Sequence, residues 1–203
     1  MGKWVGTASF MTKKILIVAL VALILGGAGF WWVESARGFS ARQEPTKLEA
    51  VVARQMRISA IPPSAKRLAN PMPLTPDLLA EARHHFADHC AVCHANDGSG
   101  KTEVGQNLYP KAPDMRQNAT QSLSDGELYF IIHNGIRLSG MPAWGAESDH
   151  DHDSWALVHF IRHLPSLSSD ELYDMQKYNP QSPAELEEQR EEEEFLNAKP
   201  KHK

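Results

Sequence analysis

The sequence predicts an all-α protein, in which one membrane-spanning helix at the N-terminus precedes a small domain of three to four helices. Residues 15–33 contain no charged side chain. Three later segments, near 75–90, 124–135 and 153–164, carry apolar residues at helical spacing and have helix-capping or helix-breaking residues at their ends. No segment shows the alternation of apolar and polar residues that is typical of a strand.

The apolar segment Ile15–Val33 is long enough to cross a bilayer. At 1.5 Å per residue it spans about 28 Å, close to the ~30 Å of a hydrocarbon core. Trp31 and Trp32 lie at its end, where an interfacial aromatic belt is expected. A cleaved signal peptide is the alternative, with Gly38-Phe39-Ser40 as its best cleavage site, but its apolar region is normally shorter. We therefore predict a transmembrane anchor.

Composition divides the chain into five parts. The predicted parts are a cytoplasmic N-terminus (1–14), the anchor (15–33), a Pro-rich neck (34–74), a globular domain (75–165) and an acidic, partly disordered tail (166–203). The neck is either a semi-rigid tether or a strap that packs on the domain. The net charge is −4, and the domain alone carries six basic and twelve acidic residues. Basic residues are not grouped with aromatic ones in a folded region, so nothing in the sequence suggests nucleic-acid binding.

Helix boundaries in the domain are marked by local signals. Thr75 and Pro76 are typical of a cap and first position, and the helix they begin leads to Cys90. Ser124 and Glu127 form a capping-box pattern for a second helix that ends at Gly135. The third helix is predicted from about Asp153 to Leu164, followed by the helix-breaking Pro165.

The chain has two cysteines, both in the segment Cys90-Ala-Val-Cys93-His94. This Cys-x-x-Cys-His pattern is typical of c-type haem attachment, because each thiol can add to one vinyl group and the histidine can bind the iron. With no other cysteine, a disulfide to a third residue or a four-cysteine metal site is excluded. A redox dithiol is the weaker alternative, since no strand–helix–strand pattern surrounds the motif.

A six-coordinate iron needs a second axial ligand opposite His94. Met141 is the best candidate, because Gly140 and Pro142 place it in a loop that can present its thioether. Met115 is a second candidate that could equally be a core residue. His133, and a five-coordinate iron with an open site, stay as alternatives.

Four stretches together resemble the single-haem class I cytochrome c domain, in its cytochrome c6-like and oxidase-subunit-like branch. They are CAVCH, YPKAPDM, SDGELYFIIHNGIRLSGMPAWG and WALVHFIRHLP, within residues 75–165. The resemblance implies the class I cytochrome c fold around one covalent haem c, attached at Cys90 and Cys93 with axial ligands His94 and Met141. It also implies a proline whose carbonyl supports His94, and we prefer Pro113 to Pro110 for this role.

Further haem contacts and a possible metal site are also predicted. Trp144 is expected to pack on the haem, and Arg137 to approach a propionate, with Arg162 as the alternative. The run Asp149–Asp153 alternates Asp and His. It is either a metal site or an exposed turn whose last aspartate, Asp153, caps the third helix.

The predicted function is electron transfer rather than enzymatic catalysis. The partners are expected to be redox proteins or the other subunits of a respiratory complex. Lysines and arginines flank the anchor on both sides and leave its orientation ambiguous. Because c-type cytochromes receive haem outside the cytoplasmic membrane, the haem domain is expected on the periplasmic side. A peroxidase-like haem enzyme and a haem-based gas sensor, both with an open distal site, are the alternatives.

Overall fold

The computed structural model describes residues 5–38, 40–145 and 151–198. These residues form helices, turns and loops without a strand, so the predicted all-α class is confirmed. The α-helices in chain order are α1 (Val5–Arg37), α2 (Lys47–Ala60), α3 (Pro63–Lys66), α4 (Pro76–His85), α5 (Ala91–His94), α6 (Glu103–Asn107), α7 (Asn118–Gln121), α8 (Asp125–Asn134), α9 (His152–His163), α10 (Ser169–Met175) and α11 (Pro183–Ala198).

Residues 1–43 form a separate unit whose described part is dominated by α1. Of this helix, Met11–Arg37 is long and apolar enough to cross a membrane, and it includes the uncharged run 15–33. An N-terminal signal sequence can have the same length and apolar composition. The predicted apolar N-terminal helix is confirmed, and it extends past both ends of the uncharged run.

The second unit, residues 44–203, has its core where α4, α8 and α9 meet. Phe86, which directly follows α4, and Phe160 of α9 are almost fully buried, with ring centroids 5.0 Å apart. Tyr129 of α8 stacks on Trp155 of α9 at 4.1 Å. Burying these large aromatic surfaces provides much of the hydrophobic stabilisation available to so small a domain.

The predicted boundaries of the first two domain helices are confirmed. Thr75 accepts a hydrogen bond from the Leu78 backbone, and Pro76 begins α4. Ser124 and Glu127 form a complete capping box at the start of α8, and Gly135 ends it with a φ of 66°. These boundaries follow from contacts within a few residues, which is why they can be predicted.

The helix α9 begins earlier than expected, and its cap is Asp151 rather than Asp153. Asp151 is buried, accepts hydrogen bonds from the Ser154 backbone and hydroxyl groups, and lies 3.3 Å from Nδ1 of His133. His133 in turn stacks on Tyr129. Asp153 is exposed. Asp151 is the cap, because its carboxylate accepts a hydrogen bond from the Ser154 backbone in the first turn of α9. Residues 149 and 150 of the Asp/His run lie outside the described residues.

We expect Asp151→Ala to reduce the free energy of unfolding by about 1–3 kcal/mol, since it removes a cap and leaves buried donors unpaired. Burial raises the pKa of Asp151, but hydrogen bonds from Ser154 and the nearby His133 outweigh this effect and hold the pKa below its ordinary value. A carboxyl with a depressed pKa stabilises the fold above its unfolded pKa and loses that contribution as pH falls. The difference between variant and wild type should therefore shrink below about pH 4.

Denaturant unfolding of the two proteins between pH 3 and 7 measures both effects. Asp170→Ala is the control, because Asp170 is an exposed acid in the first turn of α10. An equal loss of stability in the two variants would contradict the role given to Asp151.

The second half of the neck packs on the domain as a strap (residues 61–72). Ile61 and Ala65 are buried, and the Ser124 hydroxyl donates to the Lys66 carbonyl. Asn70 donates to the Trp155 carbonyl at 2.9 Å. Of the two interpretations of the neck, these contacts favour the strap for this half.

The first half of the neck contains α2, which is capped by Thr46 and Glu49. No residue of α2 is buried, and its apolar side chains are largely exposed. Glu49 accepts a hydrogen bond from the Tyr109 hydroxyl, and Lys111 pairs with Glu44. These polar contacts connect α2 to the loop that precedes Pro113.

The chain between Pro165 and Asn179, which composition assigns to the tail, packs on α4. Met175 of α10 is completely buried. Arg83 of α4 binds Glu171 at 3.3 Å and Asp174 at 3.1 Å. The acidic α11 follows, and its described side chains are exposed.

Candidate haem-binding site

The Cys-x-x-Cys-His segment is carried by a continuous helical run. After α4 the backbone widens into a π-helical turn, Phe86–Cys90, and then continues as α5. Phe86, Ala87 and Ala91 are buried in the core. This buried side fixes the run, so that Cys90, Cys93 and His94 follow one another within one turn at the edge of the domain.

Both thiols are free, and neither is activated. Burial, together with the neighbouring Cys93, raises the pKa of Cys90 to about 12. Burial also raises the pKa of Cys93. A dithiol that exchanges disulfides needs a lowered thiol pKa, so these values disfavour the redox-dithiol alternative. Two protonated, unbonded thiols on one turn suit covalent attachment of a prosthetic group.

His94 is held as a neutral imidazole. Burial lowers its pKa, and the backbone carbonyl of Pro113 opposes this in part. Nδ1 of His94 is buried and has no partner at full hydrogen-bond geometry among the described residues, although the Pro113 carbonyl is close enough to affect the ring. Neutral imidazole is the form that binds a metal, so this environment suits a ligand.

The loop after the motif folds back onto the turn that carries it. Gly100 donates its backbone N–H to the His94 carbonyl at 2.8 Å, and Met115 donates to Gly98 at 2.8 Å. Gly100 has a φ of 69°, and a Cβ there would lie 3.0 Å from the Pro113 carbonyl oxygen. Only glycine permits this close approach without strain. The loop thereby brings Pro113 to His94.

Charged pairs secure the same loop. Arg116 binds Asp97 at 2.8 Å and forms a two-point contact with Asp114. The Arg116 hydrogen bonds hold the pKa of Asp114 well below its usual range. These residues join the two ends of the loop, 19 positions apart, and limit the motion of Pro113.

Gly105 of α6 packs directly against the motif. The Thr102 hydroxyl bridges the two, because it donates to the Cys93 carbonyl at 3.2 Å and accepts from the Gly105 backbone at 2.8 Å. A Cβ at Gly105 would collide with the Cys93 carbonyl oxygen, which belongs to the backbone and cannot rotate away.

We expect Gly105→Ala to displace α6 from the motif and to lower the free energy of unfolding by about 1–3 kcal/mol, as overpacking does. Denaturant unfolding measures this loss. Lys101→Ala is the control, because it changes an exposed side chain of the same loop and should alter stability by less than about 0.5 kcal/mol. Equal stabilities of the two variants would contradict the close packing described above.

Met141 lies in a loop fixed to the end of α8. Its carbonyl accepts from the Ile136 backbone at 3.1 Å, and its N–H donates to Ser139. Trp144 and Gly145 donate their backbone N–H groups to the carbonyls of Ile132 and His133. The Met141 side chain is half-buried and packs, like that of Cys90, against the common core.

The two alternative ligands have other contacts. Met115 is buried within the core cluster. His133 stacks on Tyr129, and its Nδ1 lies near Asp151, while a Cβ at Gly145 would collide with the imidazole ring. The structure thus places Met115 as a packing residue and His133 as part of the α8–α9 junction.

The predicted haem contacts differ in their surroundings. Trp144 is 41% exposed and meets His89 edge-on, with ring centroids 5.5 Å apart. Arg137 is exposed in the Met141 loop. Arg162 binds Asp125 and donates to the carbonyls of Gln121 and Leu123, so it serves the α7–α8 junction. This arrangement leaves Arg137 the better of the two candidates for a propionate.

These residues fit haem c. The site offers two free thiols, a half-buried imidazole with a lowered pKa one residue further on, and a thioether held against the same core. This is the donor set of a c-type haem with histidine and methionine ligands. A redox dithiol or a hydrolytic site does not require this combination of two thiols, an imidazole and a thioether.

Comparison with known proteins agrees with the geometry. The family model described as "Cytochrome C oxidase, cbb3-type, subunit III" matches residues 77–161, from the first turn of α4 into the last turn of α9. The match includes Cys90, Cys93, His94 and Met141. No curated protein sequence matches the chain. The match supports a class I c-type cytochrome domain in residues 77–161, similar to that of oxidase c-subunits.

Proposed function

We propose that this protein carries single electrons through one haem c that is bound covalently by Cys90 and Cys93 and axially by His94 and Met141. The observation that carries the proposal is the convergence of three segments on one core: the motif turn, the Pro113 loop and the Met141 loop. Haem c, when bound, supplies a one-electron redox centre whose potential depends on its axial ligands.

The chain's own part on the His94 side is to hold the imidazole neutral and oriented. Burial lowers the pKa of His94, so the ring keeps a free lone pair at neutral pH. The Pro113 carbonyl lies close enough to affect the ring and would orient its other nitrogen, and Gly100 lets the Pro113 loop approach. A fixed ligand orientation reduces the structural change that accompanies gain or loss of an electron.

The second residue that would hold the haem iron is Met141, which comes from a loop with backbone hydrogen bonds at both ends. A thioether favours the reduced iron and raises the reduction potential. If His94 and Met141 both held the iron, no coordination position would be left for a substrate. Such a closed arrangement would suit a carrier rather than a peroxidase-like enzyme or a gas sensor.

We also propose that the segment 15–33 anchors the protein in the cytoplasmic membrane with the haem domain on the periplasmic side. The apolar helix that contains this segment supports the anchor, and the requirement that haem c be attached outside the cytoplasm supports the orientation. The partners are redox proteins or the other subunits of a respiratory complex. The acidic balance of the domain favours docking to a basic surface at a salt-dependent rate.

The test is an absorption spectrum of the haem-loaded full chain in detergent, oxidised and reduced, with and without CO. We expect low-spin spectra with the far-red band of a methionine–iron(III) bond, and no spectral change with CO. Ready CO binding by the intact protein would overturn the carrier and favour an open-site function. Purification in mild detergent then separates a free carrier from a complex subunit, since only the latter co-purifies with stoichiometric partners.

A further inference from the structure

A second group of metal-binding side chains lies outside the haem site, where α4 meets the start of α9. Glu81, His152 and Asp153 each offer one ligand atom, and these atoms all lie within 4.8 Å of one another. His85 adds a fourth group, with Nδ1 3.9 Å from Asp153 Oδ2. We call these four residues the Glu81 cluster.

The backbone presents this cluster from two rigid elements. Glu81 and His85 are four residues apart on α4 and so project from the same face of the helix. His152 and Asp153 begin α9, whose cap at Asp151 is buried and fully hydrogen-bonded. All three residues of the Glu81–His152–Asp153 group are exposed. The ligand atoms lie within 4.8 Å of one another, and because the three side chains are exposed they can close by up to about 1.4 Å, to the ~3.4 Å spacing of ligands on tetrahedral zinc, without disturbing the core.

The electrostatics of the cluster favour a cation. The carboxylates of Glu81 and Asp153 have only histidine partners among the described ion pairs, at 3.4–3.9 Å. Two imidazole nitrogens and two carboxylate oxygens form a ligand set suited to Zn²⁺, and the two carboxylates neutralise its charge.

We propose that the Glu81 cluster binds one divalent transition-metal ion of the Zn²⁺ class, with Glu81, His85, His152 and Asp153 as ligands. The bound ion connects α4 to the start of α9. His85 packs on His89 at 4.7 Å, and His89 in turn contacts Trp144 of the Met141 loop. The ion thus fixes a point beside the loop that carries the distal ligand, which gives it a stabilising role separate from electron transfer.

The test uses the untagged, haem-loaded full chain in detergent, stripped with EDTA and dialysed, and titrated with ZnCl₂ in a calorimeter. We expect one saturable site per chain and a higher unfolding temperature with Zn²⁺. Glu81→Gln and His152→Gln should each weaken the affinity about tenfold or more, because the loss of a direct ligand costs at least as much as the loss of a supporting residue.

Two matched controls separate this site from nonspecific binding. His84→Gln removes a histidine next to His85 that instead stacks on Tyr178 and pairs with Asp174. Asp77→Asn removes an exposed acid one turn earlier on α4. Both should bind Zn²⁺ like the wild type. Absence of a saturable site, or equal affinity in Glu81→Gln and the wild type, would overturn the proposal, and unchanged haem spectra in each variant exclude misfolding as the cause.

Discussion

The double variant Cys90→Ala, Cys93→Ala is expected to lose all covalently bound haem. These are the only thiols in the chain, so no other residue can form a thioether. Both are free and lie on one turn beside His94, with Cys90 packed on the core. Each single variant keeps one possible thioether and should retain a reduced amount of attached haem. The measurement is haem staining after denaturing electrophoresis of the protein expressed with a haem-attachment system.

The matched control for this experiment is Val92→Ala. Val92 lies between the two cysteines and is half-exposed, so shortening it changes the motif segment without removing a bonding group. This variant should stain like the wild type. Staining of the double-cysteine variant at the wild-type level would refute covalent attachment through the motif. Loss of stain in Val92→Ala would show that the segment tolerates no change, whatever the chemistry of its thiols.

Short-range signals explain why much of the fold could be predicted from the sequence. The capping box at Ser124, the pair Thr75-Pro76 and the stop at Gly135 each act within four residues, and each is found where it was expected. The N-cap of α9 was harder to predict, because the Asp/His run contains three aspartates and any of them could cap the helix. The choice of Asp151 depends on burial beside His133, which is 18 positions away.

Long-range contacts explain what the sequence left open. The strap is held by Asn70 on the Trp155 carbonyl and by Met72, whose carbonyl accepts from His159. Those partners lie more than 80 positions away. The packing of α10 could not be predicted from its polar composition. This packing depends on one buried methionine, Met175, and on the ion pairs of Arg83.

In the candidate site, too, short-range sequence signals can be predicted and long-range contacts cannot. Residue type and spacing are enough to nominate Cys90, Cys93 and His94. They do not reveal Thr102 and Gly105, which pack on the Cys93 carbonyl. Thr102 followed by Glu103 is a helix-start signal that could have found α6, but its contact with the motif is a tertiary property.

Met141→Ala is expected to open one coordination position. Its thioether comes from a loop fixed by the Ile136 and Ser139 hydrogen bonds, and no other side chain of the loop can replace it as a soft ligand. The far-red band of the oxidised protein should disappear, and the reduced protein should bind CO. Because axial ligands set haem potentials over about 0.8 V, we expect a fall in reduction potential on the order of 0.1 V. Redox titration and CO difference spectra measure these changes.

Two controls decide whether Met141 or an alternative residue is the ligand. Met115→Leu conserves volume at a buried core position, so it should cost less than about 1.5 kcal/mol and keep the far-red band. His133→Gln should weaken the α8–α9 junction through Asp151 yet also keep the band. If Met115→Leu abolishes the band and Met141→Ala preserves it, the distal ligand is Met115. If neither methionine variant alters the spectrum but His133→Gln does, the iron has two histidine ligands, and the high potential expected from a thioether no longer follows.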